Sequence, residues 1–311
     1  MLNKFLSLVK SANRICITGH VGPDPDSVGA CYSLKNFLRL LGKHAQVVSK
    51  TGIPRRYSEF VGSSNSFSSS MSRKCDLLIC CDCADINRLD CDIVGSPIIV
   101  NIDHHVSNTL YGDLNIVDST KSSCCEVIYW FLSRSKLKKD WLSKSAKLLT
   151  FGIMFDTNLF RNASVSSSTF QVMSDLSSKV SVGNIGSNLS LTTYSSVRDF
   201  CSSFLKLKII RQFKVAVLFL GGEAQDTEWI PDFMRHIKNF EIVCVVKVKN
   251  DSLRCSLRSR HLDVNRLAKS FGGGGHKNAS AFRFSGGKRA LMHQLKARIQ
   301  EFIEKGIYKS P

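Results

Sequence analysis

The feature that most constrains the fold is the alternation of short apolar runs with longer amphipathic segments in the first half of the chain. The apolar runs are unbroken and rich in β-branched residues: RICITG (14–19), AQVVS (45–49), CDLLICC (75–81) and SPIIVNI (96–102). Between the first two, residues 27–42 have helical periodicity and end on Gly42, a residue typical of helix ends. Strands that alternate with helices predict an α/β fold with a mostly parallel, doubly wound sheet covered on both faces.

The same pattern divides the 311 residues into two domains. Residues 1–185 hold the parallel sheet and, from about residue 122, a helix-rich stretch. Residues 186–212 are more polar and predict a helical connector. Residues 213–311 predict a smaller α/β domain, because strand candidates at 213–221, 240–250 and 252–260 precede a helix, a glycine run, a short strand and a basic helix over 288–305.

Charge and cysteine usage narrow the class of protein. Forty-three Lys and Arg against 25 Asp and Glu give a net charge of +18. A polyanionic partner and a merely basic, solvated surface explain this charge equally well. The twelve cysteines lie mostly inside apolar runs and do not resemble a disulfide framework, so we expect reduced, buried thiols. The N-terminus lacks a secretory signal pattern and no segment is apolar enough to span a membrane, so we predict a cytoplasmic protein without membrane contact.

Three of the four apolar runs of the first domain, and one apolar helical segment, are followed by side chains that bind metal ions or protons. They are His20, Asp24 and Asp26 after the first strand, Asp82 after the third, Asp103, His104 and His105 after the fourth, and Asp156 after the LLTFGIMF segment. Because the carboxyl ends of parallel strands converge on one crevice, we expect these side chains to meet.

The chemistry of this set indicates a pair of metal ions. Four of its aspartates, Asp24, Asp26, Asp82 and Asp156, would repel one another in a low-dielectric crevice unless cations neutralised them. Carboxylates and imidazoles without thiolates suit Mn²⁺ or Mg²⁺ better than structural zinc, and two ions sharing a carboxylate are the usual device for attacking phosphorus. Taken singly, each element has a simpler explanation: PDPDS is most often a turn with an Asx cap, and a His pair is most often surface or core. The coincidence of all of them favours the metal site.

The second domain offers a candidate for substrate binding. In FGGGGHKN (271–278), four glycines before His276 allow a close backbone approach to a phosphate or base. Arg254, Arg258 and Arg260 alternate along one predicted strand face, placed to grip phosphate. For Arg254 and Arg260 a solvated strand face is an equal alternative.

These residues resemble a known family. GHVGPDPDSVGA, Asp82 in CCDCAD, DHH and GIMFDTNLF look like the four motifs of the DHH phosphoesterases, and SLRS with FGGGGHKNASAF resembles their DHHA1 domain. Length and domain pairing are most similar to the bacterial oligoribonuclease/pAp-phosphatase (nanoRNase) branch.

The resemblance implies an activity. It implies an enzyme with two Mn²⁺ ions, for which Mg²⁺ could substitute, that cuts very short RNA from the 3′ end to mononucleotides, dephosphorylates pAp to AMP, or does both. Cyclic di-AMP and pApA are alternative substrates of the same chemistry. A non-catalytic nucleotide or RNA binder is the alternative of another class. The sequence leaves the oligomeric state open, with a homodimer as one expectation.

The resemblance also assigns roles. His20 and Asp24 would hold one ion, Asp26, His104 and Asp156 the other, with Asp82 as the bridge. His105 would contact the substrate phosphate, and Asp103 would orient His104. Substrate would be bound from the second domain by Arg258, Gly273, Gly274, Gly275 and His276. The chain departs from the family at Asn158, where glycine is usual, and Asn tolerates left-handed backbone. It also has Ala279-Ser280-Ala281 where the family has Ala-Ala-Gly, which removes a glycine next to the substrate cleft.

Overall fold

The structure is a computed structural model that describes residues 1–54, 57–61, 67–69, 74–221, 227–249 and 252–304. The chain forms two compact units, Met1–Leu189 and Ser190–Pro311. The stretch 186–212, predicted to be a connector, therefore contributes its first four residues to the first unit and the rest to the second. Residues 250 and 305, at the ends of a predicted strand and helix, lie outside the described residues.

The first unit is built from strands and helices that alternate along most of the chain. Its strands are β1 (Ile15–Thr18), β2 (Ala45–Val48), β3 (Phe67–Ser68), β4 (Leu77–Cys81), β5 (Ile98–Asp103) and β6 (Leu114–Val117). Its helices are α1 (Leu2–Ser11), α2 (Pro25–Leu40), α3 (Ser58–Val61), α4 (Cys124–Leu132), α5 (Lys138–Asp156), α6 (Ser167–Ser177) and α7 (Val182–Leu189). The sequence predicted four of these strands, and the short β3 and β6 at the sheet edges were missed.

These strands form one sheet in the order β3-β2-β1-β4-β5-β6, and every neighbouring pair is parallel. This confirms the predicted parallel α/β architecture. The chain adds strands outward on one side of β1 and then returns to add β4 on the other. Such a reversal opens a crevice at the carboxyl ends of β1 and β4, which is where ligands bind in open α/β sheets.

The two sheet faces are covered differently. On one face, Ile15 and Ile17 pack in a core that also holds residues of α1, α2, α4 and α5. On the other face, Cys16, Leu78 and Cys80 pack against an irregular segment after β4. All twelve cysteines are described and free, and eleven are buried, whereas Cys201 is exposed. Small thiols fill the shallow layer that the irregular segment covers.

The second unit is a mixed sheet with helices. Its elements are α8 (Tyr194–Phe204), β7 (Lys208–Ile210), β8 (Val215–Phe219), α9 (Trp229–Met234), β9 (Ile242–Lys249), β10 (Ser252–Ser259), α10 (Val264–Ser270), β11 (Gly274–His276), β12 (Ala279–Phe284) and α11 (Lys288–Glu304). The strand order is β11-β12-β10-β9-β8-β7, and β8 pairs with β9 in parallel while the other pairs are antiparallel.

Each face of this second sheet has its own apolar cluster. One face packs against α10 and α11 through residues such as Leu253, Leu257 and Leu291. On the opposite face, α8 and α9 lie over β8 and β9, where Leu218 and Val245 are buried. Within the described part of the chain, no helix has the length and apolar character needed to cross a membrane.

Candidate metal centre

The predicted ligands of the first unit meet at the carboxyl ends of β1, β4 and β5. One group forms around His20, whose Nε2 lies 3.6 Å from Asp24 Oδ2 and 3.6 Å from Asp82 Oδ2. These three side chains place their donor atoms within 4.8 Å of one another. They form a compact set with two carboxylates and one imidazole.

A second group forms around His104. Its Nε2 lies 3.3 Å from Asp156 Oδ2 and 4.0 Å from Asp26 Oδ2. The same nitrogen lies 3.6 Å from Oδ1 of Asp82. Asp82 therefore faces His20 with Oδ2 and His104 with Oδ1, so this side chain is shared by both groups; Nδ1 of His105 also lies 3.7 Å from Oδ1.

The geometry and donor types of the two groups fit divalent cations. Neighbouring ligands of an octahedral ion with bonds of about 2.1 Å lie about 3 Å apart. The observed separations of 3.3–4.0 Å are slightly wider, as expected for donors surrounding a cation rather than bonded to each other. Oxygen and imidazole donors without thiolate exclude the usual structural zinc sets and suit Mg²⁺ or Mn²⁺.

The electrostatics of the cluster also call for cations. Burial and the neighbouring carboxylates raise the pKa of Asp82 well above its ordinary value. Burial likewise raises the pKa of Asp26, and it raises that of Asp156 to about 7, although His104 opposes both shifts. Burial alone would lower the pKa of His20, but Asp24 and Asp82 raise it to about 10. Uncompensated negative charge thus dominates the site, and bound cations would relieve it.

The turn before α2 uses Asp24 in two ways. Its Oδ1 accepts hydrogen bonds from the backbone N–H groups of Asp26 and Ser27 at 2.9 and 3.0 Å, so it caps the helix. Its Oδ2 is the atom that faces His20. The simple explanation of PDPDS as a helix cap and the metal explanation are therefore both satisfied, by different oxygens of the same carboxylate.

Asp26 is held by the start of α4. The backbone N–H groups of Cys124 and Cys125 donate to its two carboxylate oxygens at 2.6 and 3.0 Å. These are among the first N–H groups of the helix, which have no partner within the helix itself. Close packing makes this arrangement tight, since a Cβ on Gly152 of α5 would lie 2.8 Å from Asp26 Oδ1 and 2.4 Å from Cys125 Sγ.

The backbone around two ligands is left-handed. Asp82, the first residue after β4, has φ +56°, so its side chain does not follow the alternation of the strand. After Asp156, the residues Asn158, Leu159 and Phe160 have φ of 48°, 55° and 65°. Asn158 therefore adopts the left-handed geometry for which glycine is usual, in agreement with the expectation that Asn tolerates it.

The prediction that Asp103 orients His104 is wrong. Asp103 Oδ1 accepts a hydrogen bond from Nδ1 of His105 at 2.7 Å, and its Oδ2 accepts one from Asn108 at 2.6 Å. β5 ends at Asp103, so strand alternation does not set the direction of the next two side chains. The rings of His104 and His105 lie beside each other, with centroids 4.6 Å apart, and it is Nδ1 of His105 that reaches Asp103. The His104 ring is instead hydrogen-bonded to the backbone of Lys121. Asn108 and Lys121 are positioning residues that sequence reasoning missed.

The predicted substrate residues of the second unit lie on neighbouring strands. Arg258 on β10 is paired in register with Ala279, which is paired with His276 of β11. The Arg258 guanidinium is engaged by Asp232 of α9, with Nε 3.1 Å from Oδ1 and Nη2 3.3 Å from Oδ2.

Two glycines of the predicted binding loop have packing roles. A Cβ on Gly273 would lie 2.2 Å from the Ala281 carbonyl oxygen. Gly275 has φ +143°, and a Cβ added to it would clash with Ser280. Gly274, Gly275 and His276 form the edge strand β11 rather than a loop. Close contact with β12 therefore explains part of the glycine run, and its role in substrate binding remains a prediction.

A parallel sheet with two ligand groups sharing one carboxylate at its switch point defines a candidate dinuclear metal centre. Residues 14–153 match the DHH family, N-terminal domain, and residues 212–305 match the DHHA1 domain, so that the two matches cover about three quarters of the chain. The chain belongs to the DHH family.

Known proteins resemble the chain over most of its length. The bifunctional oligoribonuclease and PAP phosphatase NrnA of Thermus thermophilus is 25% identical over 88% of this chain and 84% of its own. The probable bifunctional oligoribonuclease and PAP phosphatase NrnA of Streptococcus mutans is 28% identical over 88% and 91%. The crystal structure of an exopolyphosphatase-related protein from Bacteroides fragilis shares the fold, with a TM-score of 0.86 and 23% identity over 97% and 96%.

Proposed function

We propose that this protein is a dinuclear-metal phosphohydrolase that cuts very short RNA to mononucleotides and removes a phosphate from pAp to give AMP. The observation that carries the proposal is the position of Asp82, whose Oδ2 faces the His20 group while its Oδ1 faces the His104 group. A binding protein has no need of two ligand groups that share a carboxylate. The named activities of the NrnA relatives support the choice of substrates.

The proposed ions are Mn²⁺, with Mg²⁺ as a substitute. His20 and Asp24 would hold one, and Asp26, His104 and Asp156 would hold the other, with Asp82 between them. When bound, such ions lower the pKa of a water so that its hydroxide form can attack phosphorus. They also neutralise the charge on the phosphoryl oxygens. Soft thiolate donors are absent from both groups, which favours these hard ions over zinc.

The protein's own residues fix the positions of these groups. The α4 N–H groups hold both oxygens of Asp26, and the Lys121 backbone holds His104. Because Asp103 accepts from Nδ1 of His105, we propose that Nε2 of His105 contacts the substrate phosphate. Burial would raise the pKa of Asp103, but hydrogen bonds from His105 and Asn108 lower it to about 2, so it stays a charged acceptor across the working pH range.

Substrate contacts in the second unit are part of the proposal. We propose that Arg258 and the segment from Gly273 to His276 bind the nucleotide. Arg258 would then exchange part of its pairing with Asp232 for the substrate phosphate, because a guanidinium binds carboxylate and phosphate with the same two-pronged geometry. A cytoplasmic location fits such substrates and remains a prediction.

The test is turnover by the purified protein in Mn²⁺ with a diribonucleotide, pAp, cyclic di-AMP, pApA and pyrophosphate compared side by side. Asp82→Asn should reduce turnover by at least roughly a thousandfold, because one shared ligand serves both ions. Asp92→Asn is the matched control, since Asp92 is 75% exposed and pairs only with Lys50 among the described residues. Full activity of Asp82→Asn would contradict the proposal.

The substrate profile separates the alternatives. Preference for the diribonucleotide and pAp supports the proposal. Preference for cyclic di-AMP or pApA would keep the metal chemistry and change the substrate. Tight, salt-dependent nucleotide binding without turnover of any substrate would indicate a non-catalytic binder.

A further inference from the structure

The turn that carries His20 is held against the segment that follows β4. Residues 19–22 come directly after β1, and Nε2 of His20 faces the two carboxylates described above. The N–H group of Val21 donates to the Arg88 carbonyl oxygen at 2.9 Å, and His20 itself forms an isolated antiparallel bridge with Leu89. The position of this metal-ligand candidate therefore depends on a segment about seventy residues away in the chain.

A side chain from a third segment also holds the turn. The N–H group of Gly22 donates to Oγ1 of Thr51, in the loop after β2, at 2.9 Å. The Thr51 hydroxyl in turn donates to Oδ2 of Asp90 at 2.8 Å. A hydroxyl has one hydrogen, which goes to the carboxylate because a carboxylate can only accept, so the Gly22 N–H group meets a lone pair. Thr51 thus joins the end of the turn to Asp90.

Asp90 holds the other end of the turn directly. Its own N–H group donates to the Gly19 carbonyl oxygen at 2.9 Å. Its carboxylate is only 1% exposed and accepts from the Ser49 hydroxyl as well as from the Thr51 N–H group, which lies 3.1 Å from Oδ1. Several donors on one buried carboxylate fix its orientation. Asp90 and Thr51 together therefore grip the turn at its first and last residues.

The turn also decides which nitrogen of His20 is offered to a cation. Nδ1 lies 3.1 Å from the Val21 carbonyl oxygen. A carbonyl oxygen can only accept, so in the neutral ring Nδ1 carries the hydrogen and Nε2 keeps the lone pair that binds a metal. A turn that shifted would move the ring and remove the acceptor that selects this form.

The second ligand group has separate supports. The N–H groups at the start of α4 hold Asp26, and the Lys121 backbone holds the His104 ring. Neither support involves the loops at 49–51 and 88–90. A change at Thr51 should therefore disturb one ligand group and leave the other in place.

We propose that Thr51 and Asp90 are positioning residues that set the affinity of the cation held by His20 and Asp24, without setting that of the cation held by the His104 group. The inference rests on the dinuclear centre of the proposed function and deepens it, because it assigns an independent support to each ion. Loss of a group that orients a metal ligand weakens metal binding by about 10–100-fold.

Mn²⁺ binding to two Thr51 variants is the direct test. Thr51 is exposed, so it can be changed without opening the core. Thr51→Val keeps the shape and removes the hydroxyl, whereas Thr51→Ser keeps the hydroxyl. The electron paramagnetic resonance signal of free Mn²⁺ is followed while the full-length protein is titrated, with His20→Ala as the reference that loses one ion. Thr51→Val should bind that same ion roughly tenfold or more weakly, and Thr51→Ser should bind both ions like the unchanged protein.

The matched control is Thr193→Val in the second unit. The Thr193 hydroxyl accepts from the Ser196 N–H group at 3.2 Å, so this variant loses the same kind of hydrogen bond and should leave Mn²⁺ binding unchanged. Equal weakening of both ions by Thr51→Val, an unchanged affinity, or an equal effect of the control would each overturn the proposal. So would a failure of Thr51→Ser to retain the affinity.

Amide hydrogen exchange in EDTA tests the turn without any metal. The Gly22 N–H group should exchange faster in Thr51→Val than in Thr51→Ser, because only the valine variant removes its acceptor. Equal exchange rates in the two variants would show that the hydroxyl does not hold the turn and would overturn the proposal.

The outcome is separable from that of the proposed function, which is tested by turnover. Two bound Mn²⁺ ions, one of them weakened in Thr51→Val, together with no turnover of any substrate, would keep the positioning role and discard the enzyme. Turnover by the unchanged protein with full Mn²⁺ affinity in Thr51→Val would do the reverse. An unchanged protein that binds no Mn²⁺ would discard both.

Discussion

The sharpest prediction concerns Glu126, a fully buried carboxylate at the start of α4. Its Oε2 accepts from the Ser122 backbone N–H at 3.0 Å, from the Ser122 hydroxyl at 2.6 Å and from the Thr169 hydroxyl at 2.9 Å. Its Oε1 accepts from the Ser168 hydroxyl. Glu126 thereby ties the beginning of α4, which holds Asp26, to the beginning of α6.

The hydrogen-bond count at Ser168 excludes glutamine at position 126. The Ser168 oxygen accepts from Lys121 Nζ at 2.9 Å and from Trp130 Nε1 at 3.0 Å, which uses both lone pairs. Its single hydrogen must then go to residue 126, so that residue must accept. A glutamine amide would place its NH₂ either against this hydroxyl or against the Ser122 N–H, and two donors would face each other in both orientations.

We expect Glu126→Gln to lower the free energy of unfolding of the first unit by about 2–4 kcal/mol, from one lost charge-assisted hydrogen bond and one buried donor without an acceptor. For a unit of this size, that corresponds to a fall in Tm of roughly 5–12 °C. Thermal and urea unfolding measure it, with Asp140→Asn, an exposed acid in the first turn of α5, as the control. A loss below about 1 kcal/mol, or no more than in the control, would refute the reasoning.

The pH dependence provides a second check on Glu126. Burial would raise its pKa, but the hydrogen bonds from Ser122, Ser168 and Thr169 outweigh burial and hold the pKa below the ordinary value of 4.5. A carboxyl with a depressed folded-state pKa contributes stability above its unfolded pKa and loses it as the pH falls through the folded value. The stability difference between the two proteins should therefore be complete at neutral pH and shrink below about pH 4.5. A constant difference down to pH 3 would contradict the assignment.

Three further predictions concern the metal centre. Gly152→Ala should displace Asp26, lower the free energy of unfolding by about 1–3 kcal/mol and weaken the rise in Tm that Mn²⁺ produces. Gly183→Ala, which has open space around it in α7, should reduce neither quantity, and differential scanning fluorimetry compares the two variants. His105→Ala should lower turnover by roughly a hundredfold or more while the Mn²⁺-induced rise in Tm persists, because His105 is assigned to the phosphate; loss of both would make it a metal ligand. Asn158→Gly should be neutral or stabilising by up to about 1 kcal/mol, because φ is +48° and the buried Nδ2 has no hydrogen-bond partner among the residues that the structure describes; a clear loss in urea unfolding would show that the Asn side chain matters.

The sequence predicts the sheet, and the meeting of the candidate ligands at one edge of it, because both depend on local patterns. Strands such as β4 are unbroken apolar runs, and each predicted ligand follows a strand or ends a helix, so the parallel arrangement brings them together without knowledge of side-chain contacts. The two-residue β3 and the alternating β6 carry too little apolar sequence to be recognised.

Contacts between distant segments could not be predicted in this way. The hydrogen bonds from α4 to Asp26 join residues 98 and 99 positions apart, and no local pattern specifies such a pairing. The sequence did contain one signal for Glu126, because Ser123 and Glu126 have the spacing of a helix capping box, and Ser123 does accept from the Glu126 N–H. The partner of Asp103 was assigned to the wrong histidine, because side-chain direction at a strand end depends on how the chain turns after β5.

The cysteine-lined layer under the irregular segment gives the protein its own chemical reporter of unfolding. Eleven thiols are buried and Cys201 on α8 is exposed, so a bulky thiol reagent should label the folded chain once. Nine of the buried thiols belong to the first unit, whereas Cys244 and Cys255 belong to the second. The order in which labels accumulate therefore distinguishes the opening of one unit from that of the other. Cations bound in the first unit should delay the labelling of its nine buried thiols and leave the labelling of Cys244 and Cys255 unchanged.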